Sequence, residues 1–206
     1  MTPTDTTILL IRHGQTPTTG QVLPGRAPGL HLSDTGRNQA RGVARRIERL
    51  DAIYSSPLER TRETAKPTAE KFGLEVLIDE HLIECEFGQW TGAKLTELAT
   101  LEEWKIVQND PEAFRFPGGE SFVEMRDRIA AGLTKIARRH PGEVVACFSH
   151  ADPIKAAVTW LDGTKLNTFQ KVVADPASIT VARIGQCCTE VVVRNSTSGD
   201  IVLPEA

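Results

Sequence analysis

Residues 8–16 read ILLIRHGQT: four apolar residues run directly into Arg12, His13 and Gly14. A short, unbroken apolar run reads as a strand buried on both faces, the kind found inside a parallel sheet. A cation, an imidazole and a glycine at the end of such a strand contribute little to folding. In an open α/β sheet they fall where ligands bind, beyond the carboxyl ends of the strands.

The rest of the 206-residue chain supports that frame. Residues 34–50 place Ala40, Val43, Ala44, Ile47 and Leu50 at helical spacing, with Ser33 or Asp34 as cap. Residues 52–55 form a second short strand. Residues 58–72 predict a helix closed by Gly73, with Pro67 as a point of kink or split. Residues 74–78 read as a third strand, and residues 92–108 and 121–139 as helices. Residues 144–148 are the clearest central strand, followed by a helix over 153–161 with proline in its first turn. Residues 179–184 and 190–194 read as strands joined by a glycine-containing turn. Alternating strands and helices predict a three-layer α/β sandwich: a mostly parallel sheet, helices on both faces, and an antiparallel edge strand. The length suits one domain spanning 1–206.

Composition excludes several classes. Net charge is −3, and the basic residues are scattered, so neither nucleic acid nor an anionic membrane is an expected partner. No stretch approaches the roughly 18 apolar residues of a membrane span. The N-terminal MTPTDTTILLIRHG has no basic segment ahead of its short apolar run, so a cytoplasmic location is expected. Cys85, Cys147, Cys187 and Cys188 show no metal-ligand spacing and read as reduced thiols. No metal site and no cofactor are expected. A homodimer is left open.

Three polar clusters leave strands at one end of the expected sheet: Arg12-His13, then SSPLERTRETA (55–65) with Arg60 and Arg62, then SHADPIK (149–155) with His150. Guanidinium forks match phosphate oxygens, and helix N-termini add N–H donors, so the clusters describe an anion site. Two histidines favour phosphoryl chemistry, because a neutral imidazole nitrogen is a nucleophile. Arginines nearby oppose its protonation, and Gly14 lets the backbone approach closely. A leaving oxygen also needs a proton, and LIECEFGQWTG (82–92) offers two carboxyl groups, Glu84 and Glu86.

RHGQT, LSDTGRNQA, SSPLERTRETA, LIECEFGQWTG, FPGGES and SHADPIK together resemble the histidine phosphatase (phosphoglycerate mutase-like) superfamily, in its order and over nearly the whole chain. EWKIVQ, FPGGES and FQKVVADPAS resemble a subfamily of probable phosphomutases. The resemblance implies that His13 becomes phosphorylated, that Arg12 and Arg60 clamp phosphate, and that His150 donates to the phosphoryl group. It selects Glu84 over Glu86 as proton donor, from its spacing to Gly88, and Arg60 over Arg62. Gly14, Thr19 and Ala151 fall in the phosphate-binding set. Thr19 stands where the family commonly has asparagine, and Ala151 where it often has glycine. Alanine is strained there if the backbone takes positive φ. Residues 91–120 are expected to form much of a lid.

The expected function is hydrolysis of a phosphomonoester of a small metabolite through phosphohistidine. The alternatives are a phosphomutase using the same intermediate, and a phosphoanion-binding protein with little turnover. His31, His81 and His140 are expected outside the chemistry, His31 on the pocket rim. Trp90 and Trp104 are expected in the core or pocket wall.

Overall fold

Strand β1 (Thr6–Arg12) and strand β4 (Val144–Ser149) pair in parallel at the centre of a six-stranded sheet. In a computed structural model describing residues 5–185 and 188–204, β2 (Ala52–Ser55) and β3 (Val76–Ile78) continue the parallel arrangement beyond β4. On the other side, β5 (Ile179–Ile184) and β6 (Thr189–Ser196) run antiparallel. The order is β3-β2-β4-β1-β5-β6. The expected parallel sheet with an antiparallel edge is what forms.

The apolar runs are continuous because both faces are covered. Ile8 and Leu10 of β1, with Val145 and Cys147 of β4, belong to one core cluster. Leu9 and Ile11, with Ala146 and Phe148, belong to the other. This period of two puts successive side chains on opposite faces. Helices α1 (Asp34–Arg46) and α2 (Glu59–Phe72) supply Val43 and Ala65 to the second cluster. Helices α5 (Phe122–Arg139) and α6 (Ala151–Leu161) cover the first, through Ile129, Leu133 and Ile154. The result is three layers.

Local signals explain most boundaries. Ser33 caps α1 by accepting from the Gly36 amide, and Ser121 forms a full capping box with Glu124 on α5. Gly73 closes α2 in the left-handed conformation at φ 66°. Helix α2 runs through Pro67 unbroken. α1 stops at Arg46, short of Leu50, because Ile47 turns extended. The expected helix over 92–108 is two pieces, α3 (Leu95–Leu98) and α4 (Glu102–Asn109). Its first residues instead pair with the 21–23 backbone: Gly92 N–H donates to Leu23 O (2.6 Å) and Leu95 N–H to Gln21 O (2.9 Å). Among the described residues no helix is long and apolar enough to cross a membrane. Cys85 and Cys147 are buried free thiols and Cys188 an exposed one, while the expectation for Cys187 lies outside the described residues.

Candidate active site

The sheet register brings the three polar clusters together. Arg12 lies opposite Ser149 across β1 and β4, and Ser55 opposite Phe148 across β2 and β4. The residues that follow these strand ends therefore share one place. The rings of His13 and His150 sit edge to face with centroids 5.3 Å apart. Both are buried.

The tautomer of His13 follows from its partner. Nδ1 lies 2.7 Å from the Gly14 carbonyl oxygen. A carbonyl only accepts, so Nδ1 carries the hydrogen and Nε2 keeps its lone pair. Burial, then the charges of Arg60 and Arg12, push the His13 pKa down to about 3. The imidazole is neutral at physiological pH.

Two guanidinium groups, those of Arg60 and Arg12, act on this ring through their charge. Each is anchored at one end: Arg12 Nη1 donates to Ala174 O (2.6 Å), and Arg60 Nη2 to Gly25 O (2.8 Å). Arg60 is wholly buried, whereas Arg62 is exposed and lines a groove between α2 and β3. Arg12 Nε, Arg60 Nε, Arg60 Nη1 and His150 Nδ1 are buried without a hydrogen-bond partner among the described residues. Unmatched buried donors are costly, and a cluster of them around one neutral imidazole describes a site built for an oxyanion.

Glu84 is the acid that reaches this cluster. Its Oε1 accepts from the Cys85 amide (2.9 Å), and its Oε2 lies 3.9 Å from His150 Nδ1. Burial, then the Asp152 carboxylate, push its pKa up to about 7, against Arg60, the Cys85 amide and Arg12. Burial also drives His150 well below the ordinary histidine value. The His150–Glu84 contact is therefore a meeting of two weakly charged groups and not an ion pair. Glu86 lies outward, 38% exposed and 3.7 Å from Arg26 Nη1.

Three expectations change in detail. Gly14 does make a close approach, but to protein: a Cβ there would lie 2.6 Å from Gly36 O. Its amide donates to Thr64 Oγ1 (3.1 Å). Ala151 opens α6 and is absent from the positive-φ residues, so no backbone strain attaches to it. Thr19 folds its hydroxyl back onto its own turn, accepting from the Thr16 amide (2.9 Å). His31 is exposed beside Glu63, and His140 is held between Glu143 and Tyr54 Oη. Trp90 packs in an aromatic cluster with Trp104, Phe114 and Phe116.

Sequence reasoning missed Ser56, whose Oγ lies 2.8 Å from His150 Nε2, together with Thr64 and the Ala174 carbonyl. Ser56 and Thr64 stand in the same stretch, SSPLERTRETA, as Arg60, and that shared motif was the available signal. Among the described residues no group of three or more His, Cys, Asp or Glu could hold a metal ion.

Comparison with known proteins agrees with the geometry. The sequence model of the histidine phosphatase superfamily (branch 1) matches residues 8–197. Phosphoserine phosphatase 1 of Hydrogenobacter thermophilus is 34% identical over 181 residues, covering 84% of this chain and 84% of that protein. Phosphoglycerate mutase-like protein 4 of Arabidopsis thaliana is 33% identical over 156 residues, covering 72% and 68%. Phosphoserine phosphatase of Entamoeba histolytica, solved in complex with 3-phosphoglyceric acid, superposes with a TM-score of 0.84 at 28% identity, covering 93% of this chain and 97% of that one.

Proposed function

The chain belongs to the histidine phosphatase superfamily, and from that premise we propose that it hydrolyses a small phosphorylated metabolite through a phosphohistidine on His13. The observation that carries this reading is His13, its Nδ1 held by the Gly14 carbonyl, in a site where Arg12 Nε, Arg60 Nε and Arg60 Nη1 are buried without partners among the described residues.

In the first step His13 Nε2 attacks phosphorus in line, the N–P bond forms and the ester P–O bond breaks. The leaving oxygen takes its proton from Glu84, whose raised pKa of about 7 keeps a proton available near neutrality. In the second step the Glu84 carboxylate removes a proton from water as the water oxygen attacks phosphorus. The N–P bond breaks, its electron pair returns to Nε2, and inorganic phosphate leaves. Arg12 and Arg60 face the equatorial oxygens, where the transferring group carries its charge. Ser56 O–H donating to His150 Nε2 leaves Nδ1–H for another phosphoryl oxygen. Fixed cations do the electrostatic work that a metal does elsewhere. Residues 91–120 serve as part of the cover: Gly92 ties this segment to the 21–26 loop that carries Arg26.

The test is a panel of phosphorylated metabolites assayed for free phosphate, with acid-quenched enzyme examined for phosphohistidine and His13→Ala as control. Free phosphate from the wild type and none from the variant is the expected result. Release that persists in His13→Ala removes the mechanism. Isomerised substrate without free phosphate identifies a mutase.

A further inference from the structure

Glu84 lies between the single-turn helices Glu80–Leu82 and Gly88–Trp90, in a stretch with no ladder or helix of its own. Something else must fix its backbone. Arg26 Nε donates to the Glu84 carbonyl at 2.8 Å, and Arg128 Nη2 approaches it at 3.4 Å. Arg128 Nη1 also donates to His81 O (2.8 Å) and Ile83 O (2.9 Å). Two guanidinium groups thus grip the acid-bearing segment from residues far apart in sequence.

Both meet on one carboxylate. Glu120 Oε1 accepts from Arg128 Nε (2.8 Å), and Oε2 accepts from Arg128 Nη2 (3.0 Å), Arg26 Nη2 (3.2 Å) and the Glu86 amide (3.3 Å). Its own amide donates to Glu86 O (2.8 Å). One glycine from each loop lets the two meet backbone to backbone: a Cβ on Gly119 of FPGGES would sit 2.2 Å from Glu86 O, and one on Gly88 of LIECEFGQWTG 2.2 Å from Pro117 O. Without this carboxylate, Arg128 would lose the side-chain acceptor it has here, and Arg26, left with Glu86 3.7 Å from Nη1, would lose the partner that orients its fork.

We propose that Glu120 is a positioning residue for the proton donor: it orients Arg26 and Arg128, which hold Glu84 in reach of the leaving oxygen. This rests on the reading of Glu84 as general acid. A positioning role differs from a purely structural one because its loss matters only where a proton is needed.

Leaving groups separate the two. p-Nitrophenyl phosphate releases an anion that needs little protonation, while phenyl phosphate, almost the same shape, releases a more basic oxygen. The ratio of their kcat/KM values reports on the first chemical step alone. General acids contribute on the order of 10²–10⁴ in rate, so Glu84→Gln should depress phenyl phosphate by at least about tenfold more than p-nitrophenyl phosphate. Glu120→Gln, which keeps one acceptor oxygen, should show the same preference in weaker form, and Glu120→Ala a stronger one. Thermal unfolding of each variant checks that it folds, and the isosteric Glu120→Gln carries the test if Glu120→Ala does not. A selective Glu84→Gln beside a Glu120→Gln that slows both substrates equally, or neither, overturns the inference alone. A Glu84→Gln that slows both equally overturns the reading beneath it as well.

Discussion

At the scale of single residues, burial makes the ionisation states at the site unusual, and the pH profile should show it. On the proposed mechanism, the active free enzyme needs His13 neutral and Glu84 protonated. With the His13 pKa near 3, the histidine imposes no acid limb in the ordinary assay range. Glu84, with a pKa near 7, imposes an alkaline one: kcat/KM should fall as pH rises through about 7. A substrate phosphate ionises near pH 6 and adds a limb of its own. The expected outcome for Glu84→Gln is a plateau lower by about 10²–10⁴ for a poor leaving group, with the alkaline limb gone and the substrate limb kept. An alkaline limb unchanged in the variant would assign it to another group.

The elements of the fold owe their positions to contacts that single residues permit, and α1 provides a contrast. It holds two glycines. A Cβ on Gly36 would lie 2.0 Å from Gln15 O, because the first turn of α1 is pressed against the chain leaving β1. Gly36→Ala must push the two apart, at a cost of about 1–3 kcal/mol, and it disturbs the loop beside His13. A Cβ on Gly42 meets only the tip of Arg45, 4.0 Å away. Gly42→Ala should therefore stabilise by roughly 0.5–1 kcal/mol, the ordinary gain from removing glycine from a helix interior. Urea unfolding of both variants checks the opposite signs. The helices were legible where cap and period agreed, as with Ser33 on α1 and Ser121 on α5. The region 92–108 was misread as one helix because each piece carries its own apolar pair three residues apart, Leu95 with Leu98 and Trp104 with Val107, all packed in or against the same cluster. Pairing with 21–23 decides the conformation there, and no local pattern announces it. The arginines, histidines and Glu84 could be read from motifs. The grip of Arg26, Arg128 and Glu120 could not, since three residues so distant in sequence share no spacing.

The whole molecule carries the thermodynamic cost of this site, and that cost depends on pH. His13 titrates near 3 when folded and near 6.5 when unfolded. Between those values the unfolded chain binds the extra proton, so stability falls as pH falls. His150 is depressed for the same reason and adds in the same sense. Glu84 is shifted the other way, from 4.5 to about 7, so between those values the folded state binds the extra proton. Its contribution is largest in acid and is lost as pH rises through about 7. The two histidines outweigh the one carboxyl group below pH 6.5, and Glu84 alone acts just above it. For these three groups stability is greatest near neutrality and declines in acid. Replacing His13 by asparagine removes one titrating group while leaving the others in place. From pH 7 to pH 4, the His13 shift is worth about 3 kcal/mol, at about 1.4 kcal/mol per pH unit below 6.5. His13→Asn should therefore lose about 3 kcal/mol less than the wild type over that interval, as measured by urea unfolding at the two pH values. Titration of groups away from the site cancels in the difference, and His150 keeps the two largest causes of its own shift, burial and Arg60. Equal losses in both proteins would mean that His13 protonates in the folded state near its ordinary pKa, and that the arginines around it do not keep it neutral.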